Sequence, residues 1–474
     1  MSLVGRIEER QRLDQLLTSV SAEFIAIYGR RRVGKTYLVR EHFKKQLCFE
    51  LTGVREGKLQ DQLGYFHEEL ERRSKKEQPP PKSWREAFAQ LRKHLESLRG
   101  ESKRVIFLDE VPWLDSHRSG FRSALDHFWN HFLSRHPRFI LIICGSAASW
   151  IVKKVVDDKG GLHNRVTAPP IRLEPFTLAE TACFLKSRRI KLTSYELITL
   201  AMVMGGIPMY LRDAEPGQSA AQIIDASCFH KDGRLRNEFS KLYPALFDHS
   251  ERHIEIIREL AAHPQGRTRT QLTDAYSSGG RLSTTLFELD EAGFVSAHQP
   301  FGKKTKDTVY RLTDEYSLFY LKWIERSRPA APGKFLRLQQ SAGWRAWSGY
   351  ALEALAFKHM PEICDALGIG VLSPDAYSWV HRPNKTWPQG AQIDLLLDRP
   401  DNTINLIEIK FSNEPFTITK SYAENLRNKV GIFRGVTGTR KNLFLAFLTT
   451  HGVTPNAYAQ ELVQSEITTD QLFT

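Results

Sequence analysis

Cysteine is scarce in this chain, with five in 474 residues. Cys48, Cys144, Cys183, Cys228 and Cys364 are scattered and form no C-x-x-C pair. That argues against a disulfide framework and against structural zinc. A reducing cytoplasm is the expected location. Long apolar runs are missing too: none approaches the ~18 residues needed to span a bilayer, so no membrane partner is expected. The opening Met1-Ser2-Leu3-Val4-Gly5-Arg6 lacks an apolar leader core, and no secretory segment is expected. Acid is in deficit, 54 Asp and Glu against 67 Lys and Arg, which leaves a net charge of +13. A basic balance favours polyanionic partners, DNA first, although a generally basic surface gives the same count. The remainder, 41% hydrophobic and 26% charged, is ordinary for a globular protein. The length suggests about three domains.

Against this background one motif names a ligand. Residues 29–36 read Gly29-Arg30-Arg31-Arg32-Val33-Gly34-Lys35-Thr36, the G-x-x-x-x-G-K-[ST] phosphate-binding loop. An apolar run, Phe24-Ile25-Ala26-Ile27-Tyr28, precedes it, and a helical pattern from Tyr37 to Phe43 follows. Gly29 and Gly34 let the backbone wrap a phosphate, and amides at the helix start point at the anion. Lys35 is expected at the β- and γ-phosphates of ATP, and Thr36 on Mg²⁺. A second apolar strand, Val105-Ile106-Phe107-Leu108, runs into Asp109-Glu110. This is the Walker B arrangement: Asp109 for the Mg²⁺ shell, Glu110 to polarise the attacking water. A third, Phe139 to Cys144, ends in Gly145-Ser146. Ser146 reads either as a polar sensor of the γ-phosphate or as the N-cap of a helix beginning at Ala147. Strands alternating with helices predict a largely parallel sheet with ligand loops at the strand C-terminal ends.

These residues resemble the archaeal-type AAA/STAND ATPases. The resemblance is carried by Val4-Gly5-Arg6, by Tyr28 through Thr36, and by Leu108-Asp109-Glu110-Val111-Pro112-Trp113-Leu114. It implies two further nucleotide contacts. Arg165 stands where the family has a Gly-Arg pair, here Asn164-Arg165, and would meet the γ-phosphate unless it is a surface arginine. Gly205-Gly206-Ile207-Pro208 matches the family's helical-lid segment, where the proline, Pro208 here, touches nucleotide and couples it to domain motion.

Between residues 249 and 326 the pattern becomes three short helices and a β-ribbon. Ile254–Leu260, Thr268–Tyr276 and Arg281–Ala292 read as helices, the last with Leu282, Leu286 and Leu289 on one face. Gly293-Phe294-Val295 and Thr308–Leu312 read as strands around the basic turn Gly302–Asp307. This describes a winged helix. Arg281, Ser283 and Thr284 would face bases, and Lys303, Lys304 and Lys306 would face phosphates. Glu288, Asp290 and Glu291 make the later half of the third helix acidic. Packing against the ATPase core is therefore the competing role.

After a Pro/Gly linker at residues 327–333, a helix near Trp347–Phe357 carries Glu353, and a hairpin follows. Its strands are Gln392–Leu397, with Asp394, and Ile404–Phe411, with Glu408 and Lys410 on one face by period two. Two carboxylates and a lysine suit phosphodiester hydrolysis: Asp394 and Glu408 on Mg²⁺, Lys410 on the water or the developing charge. Glu353 would add a ligand or orient a second metal. The alternative is a half-exposed hairpin with a Glu–Lys pair on its solvent face. The ordered set Glu353, Asp394, Glu408 and Lys410 resembles the PD-(D/E)xK nuclease fold, which occurs at the C-terminus of members of the same ATPase family. The motif's proline is absent, with Gln392-Ile393 before Asp394, and such folds also decay into binding modules.

The expectation is thus a multidomain α/β protein: a P-loop ATPase core at 1–170, a helical lid at 171–248, a winged helix at 249–326 and a PD-(D/E)xK nuclease-like domain at 334–474. ATP and Mg²⁺ are the expected cofactors and DNA the expected partner, with a homo-oligomer or a protein partner left open. Two functions compete. One couples ATP to Mg²⁺-dependent DNA cleavage or processing. The other is a STAND-type regulatory or defence switch with a non-cleaving C-terminal domain.

Overall fold

The computed structural model describes residues 3–146, 148–156, 162, 165–247, 249–275, 281–329 and 332–474. Ala147, Asn164, Tyr276 and the linker residues 330–331, all used above, lie outside the described residues. The chain divides into two compact units, Met1–Pro175 with Phe287–Gly293, and Phe176–Leu286 with Phe294–Thr474.

The first unit is built on five parallel strands: β1 (Glu23–Tyr28), β2 (Leu47–Thr52), β3 (Arg104–Asp109), β4 (Phe139–Gly145) and β5 (Ile171–Arg172). Their order is β2-β3-β4-β1-β5. β4 is buried at all seven positions, and the middle of β1 is buried on both faces. Continuous apolar runs without alternation are what a sheet covered on both sides requires. Helices Leu59–Ser74 and Trp84–Ser97 contribute Phe66, Leu70, Trp84, Phe88 and Leu91 to one core, together with Phe121 and Phe128. The Phe88 and Phe128 rings stack at 5.0 Å. β2 and its helices were not marked by the sequence patterns. The three strands that were, β1, β3 and β4, lie side by side, so their C-terminal ends converge at one sheet edge.

In the second unit, helix Leu178–Ser187 and helix Ser194–Met204 both start with capping boxes, Thr177 with Glu180 and Thr193 with Glu196. The second helix stops at Gly205 and Gly206, both with positive φ (64° and 63°). A Cβ on Gly206 would lie 2.2 Å from the Phe176 carbonyl oxygen, so only glycine fits there. At the other end Tyr195 stacks on Phe411 at 5.0 Å and on His451 at 5.6 Å, and its hydroxyl donates to Asn413 Oδ1 at 2.5 Å. Helices Glu251–Ala262, Arg269–Ala275 and Leu282–Glu291 follow, the last with its residues from Phe287 on grouped in the first unit, and with an antiparallel sheet of β6 (Arg267–Thr268), β7 (Val295–His298) and β8 (Val309–Leu312) in the order β6-β8-β7. Leu282, Leu286 and Leu289 are buried.

The C-terminal sheet holds β9 (Asp375–His381), β10 (Ala391–Asp398), β11 (Thr403–Lys410), β12 (Asn442–Thr449) and β13 (Ser465–Thr468), in the order β13-β12-β11-β10-β9. β9, β10 and β11 run antiparallel; β11, β12 and β13 run parallel. Helix Lys420–Thr437 makes the crossover from β11 to β12, as parallel neighbours require. β11 is therefore central, and seven of its eight residues are buried. That removes the solvent-face reading of the hairpin: Glu408 is 2% and Asp394 8% exposed.

Candidate functional sites

The P-loop joins β1 to helix Lys35–His42. Gly29, Arg32 and Gly34 take positive φ (139°, 73° and 97°), which curls the loop. A Cβ on Gly29 would stand 2.3 Å from the Leu173 carbonyl oxygen. Lys35 is buried, and its Nζ donates to the Gly29 carbonyl at 2.8 Å, the Arg30 carbonyl at 3.0 Å and Ser146 Oγ at 3.0 Å. Thr36 Oγ1 donates to Asp109 Oδ2 at 2.7 Å. Glu110 takes both polar groups of Ser146, Oγ donating to Oε1 at 2.6 Å and the amide to Oε2 at 3.1 Å. Loop, β3 end and β4 end thus form one connected network. Glu110 itself is left-handed, with φ 47°, a conformation that costs a non-glycine residue on the order of 1 kcal/mol.

Burial pushes the Lys35 ammonium below its usual pKa, more than Glu110 and Asp109 restore it. Burial also raises Asp109, against the hydrogen bond from Thr36. One contact escaped the motif reading. Arg6, buried at 4% exposure, donates from Nη2 to the Val33 carbonyl at 3.3 Å and ties the start of the chain to the P-loop. The Val4-Gly5-Arg6 box was its only signal. Arg165 pairs through Nε with Asp126 Oδ1 at 2.9 Å. Pro208 belongs to the second unit, where it opens helix Pro208–Leu211.

Arg281, Ser283 and Thr284 are exposed, as are Lys303, Lys304 and Lys306. Phe301 anchors the basic turn: its amide donates to the Ser378 carbonyl at 3.2 Å, and its ring packs on Tyr377 and Phe433. The acidic half of the third helix falls in the first unit. There Glu288 pairs with Lys153 at 3.2 Å, and Arg172 donates to the Asp290 carbonyl at 3.0 Å.

At the C-terminal sheet the β10–β11 register reaches Leu395↔Ile407, the residues next to Asp394 and Glu408. Asp394 Oδ2 accepts from the Ile409 amide at 3.0 Å and lies 3.6 Å from Lys410 Nζ. Lys410 donates to Glu408 Oε2 at 3.1 Å. Asp394, Glu408 and Lys410 therefore converge. Glu353, half-buried on helix Ala342–Ala356, is close enough to feel their charges. Burial and the Asp394 carboxylate push it up to about 8. It lines a cavity of about 700 Å³ with His298, Arg311, Trp347 and Phe357. Three participants were assigned no role from the sequence, although Tyr422 and Lys429 fall in segments, 416–423 and 426–429, that continue the family resemblance. Tyr422 Oη donates to Glu408 Oε2 at 2.8 Å, and Lys429 Nζ to Oε1 at 2.6 Å. Arg311, on β8, donates to Ser378 Oγ at 3.0 Å and faces Glu353 and Asp394 electrostatically. Burial alone would raise Glu408, but the Lys410 and Lys429 ammoniums and the two hydrogen bonds hold it below the ordinary range.

A glycine-rich loop between a buried strand and a lysine-headed helix, facing an acidic strand end, defines a P-loop ATPase domain. Residues 3–214 match the family described as an ATPase domain predominantly from Archaea, so this part of the chain carries an archaeal-type ATPase domain. An uncharacterized protein of Methanocaldococcus jannaschii is 24% identical over 416 residues, which are 86% of this chain and 88% of that protein. Among solved structures, a Walker-type ATPase of Pyrococcus abyssi is similar over 68% of this chain and 96% of its own, with 18% identity and a TM-score of 0.48. The ORC2 protein of Aeropyrum pernix is similar over 68% and 92%, with 16% identity and a TM-score of 0.41. No helix among the described residues is long and apolar enough to cross a membrane.

Proposed function

We propose that this protein binds and hydrolyses ATP with Mg²⁺ and couples the nucleotide state to engagement of DNA by its second unit. The observation that carries the reading is the network Lys35–Ser146–Glu110 beside Thr36–Asp109. Lys35 is a buried cation held by neutral oxygens, so phosphate oxygens are better partners than the carbonyls it now meets. Thr36 and Asp109 offer adjacent hard oxygens, a donor set that fits Mg²⁺. The ion would neutralise charge on the β- and γ-phosphates. Glu110 orients and deprotonates the attacking water, and Ser146 fixes the carboxylate that does so. Exposed Lys303, Lys304 and Lys306, on a turn anchored by Phe301, supply phosphate contacts to DNA as the wing of a winged helix. The test is Mg²⁺-dependent phosphate release. Wild-type protein that turns over no ATP, with or without DNA, sinks the proposal.

The convergence of Asp394, Glu408 and Lys410 favours a further reading, in which the C-terminal sheet is a PD-(D/E)xK nuclease-like domain. Plasmid cleavage in the presence of divalent cations, compared among wild type, Asp394→Ala and Lys410→Ala, decides it. Equal cutting by all three, or no cutting either by wild type or by a variant that admits the cation, leaves the STAND-type switch with a non-cleaving binding domain.

A further inference from the structure

Both oxygens of Glu408 are engaged by cationic or hydroxyl donors. Lys429 Nζ donates to Oε1 at 2.6 Å; Lys410 Nζ at 3.1 Å and Tyr422 Oη at 2.8 Å meet Oε2. Asp394 gives one oxygen to the Ile409 amide, and Gln392 Nε2 approaches the other at 3.5 Å. Tyr422 and Lys429 stand seven residues apart on helix Lys420–Thr437, which is two turns, so both project from one face onto the same carboxylate. Around Asp394, Glu408 and Glu353 there are three cations: Lys410, Lys429 and Arg311. Mg²⁺ demands about six oxygen ligands in near-octahedral array. An ammonium hydrogen-bonded to Glu408 Oε1 holds that oxygen's charge and repels a dication brought to it. In this arrangement the residues do not fit a divalent ion.

We propose that Lys429 is an internal counter-cation standing in for the metal, and that helix Lys420–Thr437 is a latch that keeps divalent cations out of the Asp394–Glu408 pair. The proposal rests on reading that pair as nuclease-like, but it concerns what the pair binds rather than what it cuts. Opening the site requires Lys429 Nζ to leave Glu408 Oε1, which swings a flexible side chain away from the carboxylate, while Tyr422 keeps its own bond to Oε2. Lys410, on the strand itself, stays behind to serve the phosphate.

The test is Mn²⁺ binding to the full-length chain without nucleotide, read by the electron paramagnetic resonance of free Mn²⁺. A Thr36→Ala background removes an oxygen donor from the P-loop site. Lys429→Met is expected to gain one site at least about tenfold tighter than anything in the parent. Lys429→Arg keeps the charge and is expected to gain none. Adding Asp394→Asn to Lys429→Met abolishes the new site. Lys429→Gln, which retains a hydrogen-bonding side chain, repeats the gain and guards against misfolding of the Met variant. A parent that already binds Mn²⁺ in an Asp394-dependent manner as tightly as Lys429→Met overturns the proposal. So do folded Met and Gln variants that gain no site. Plasmid cleavage by the same samples separates the two readings: a gained metal site without cutting leaves the latch standing and removes the nuclease.

Discussion

Lys35, buried, and Lys410, half-buried, both stand beside an acidic pair, yet their surroundings move them in opposite directions. Lys35 bonds two backbone carbonyls and a serine, and burial depresses its pKa despite Asp109 and Glu110. Lys410 lies against Glu408 and Asp394, whose charges overcome burial and raise it above the usual lysine value. The first lysine has carboxylates nearby but none in its grip, because Asp109 is engaged with Thr36 and Glu110 with Ser146. It keeps an unmet demand for negative charge, which a polyphosphate supplies. The second has its counter-charge built in, and Lys429 completes the neutralisation. The same three residue types give an anion receptor in one place and a closed ion network in the other.

The largest expected effect breaks the first side of the comparison. Glu110→Gln keeps its hydrogen-bonding shape but loses the base, so hydrolysis falls about 10²–10⁴-fold while ATP still binds. Phosphate release and equilibrium nucleotide binding, measured on the same protein, check the split. Next, Glu408→Ala leaves Lys410 and Lys429 without their shared carboxylate. Both ammoniums are partly exposed and can turn to water, so the cost is that of lost hydrogen bonds to a buried carboxylate, about 1–3 kcal/mol, read as a shift of the urea midpoint. Asp109→Ala serves as the contrast, since no ammonium depends on it directly.

A smaller effect concerns pH. Glu353 is raised from 4.5 to about 8, so the folded state holds a proton that the unfolded chain releases. Stability attributable to this group is greatest below pH 4.5, declines as pH rises towards about 8 and then levels off. Glu353→Gln should flatten that slope, measured as urea stability at several pH values between 5 and 8. The smallest effect is expected from the basic turn. Replacing Lys303, Lys304 and Lys306 with alanine should lower the salt slope of DNA binding by about 2–3 while leaving ATP hydrolysis without DNA unchanged. An unchanged slope would remove the turn from the DNA interface.

The P-loop site was legible because its chemistry is contiguous. Eight consecutive residues and one strand end carry Lys35, Thr36, Asp109 and Glu110, and each strand advertises itself by an unbroken apolar run. The C-terminal site was legible only along its strands. Asp394, Glu408 and Lys410 follow from hairpin register and period two, whereas Lys429 and Tyr422 come from a crossover helix whose face is set by packing. Arg311 arrives from β8, far away in sequence, and nothing local marks it. Period two alone left a half-exposed hairpin open as the alternative, and the parallel partner β12 closes it by making β11 a central strand. Arg165 shows the converse, a motif position whose side chain is held by Asp126.

Helix Ser194–Met204 has a mechanical consequence. Its eleven residues form a rod of about 16 Å. One end is the double-glycine turn at Gly205-Gly206 leading into Pro208. The other is Tyr195, clamped between Phe411 and His451. The rod therefore sets a fixed distance between the packed glycine turn and Phe411, the residue after Lys410 at the end of β11.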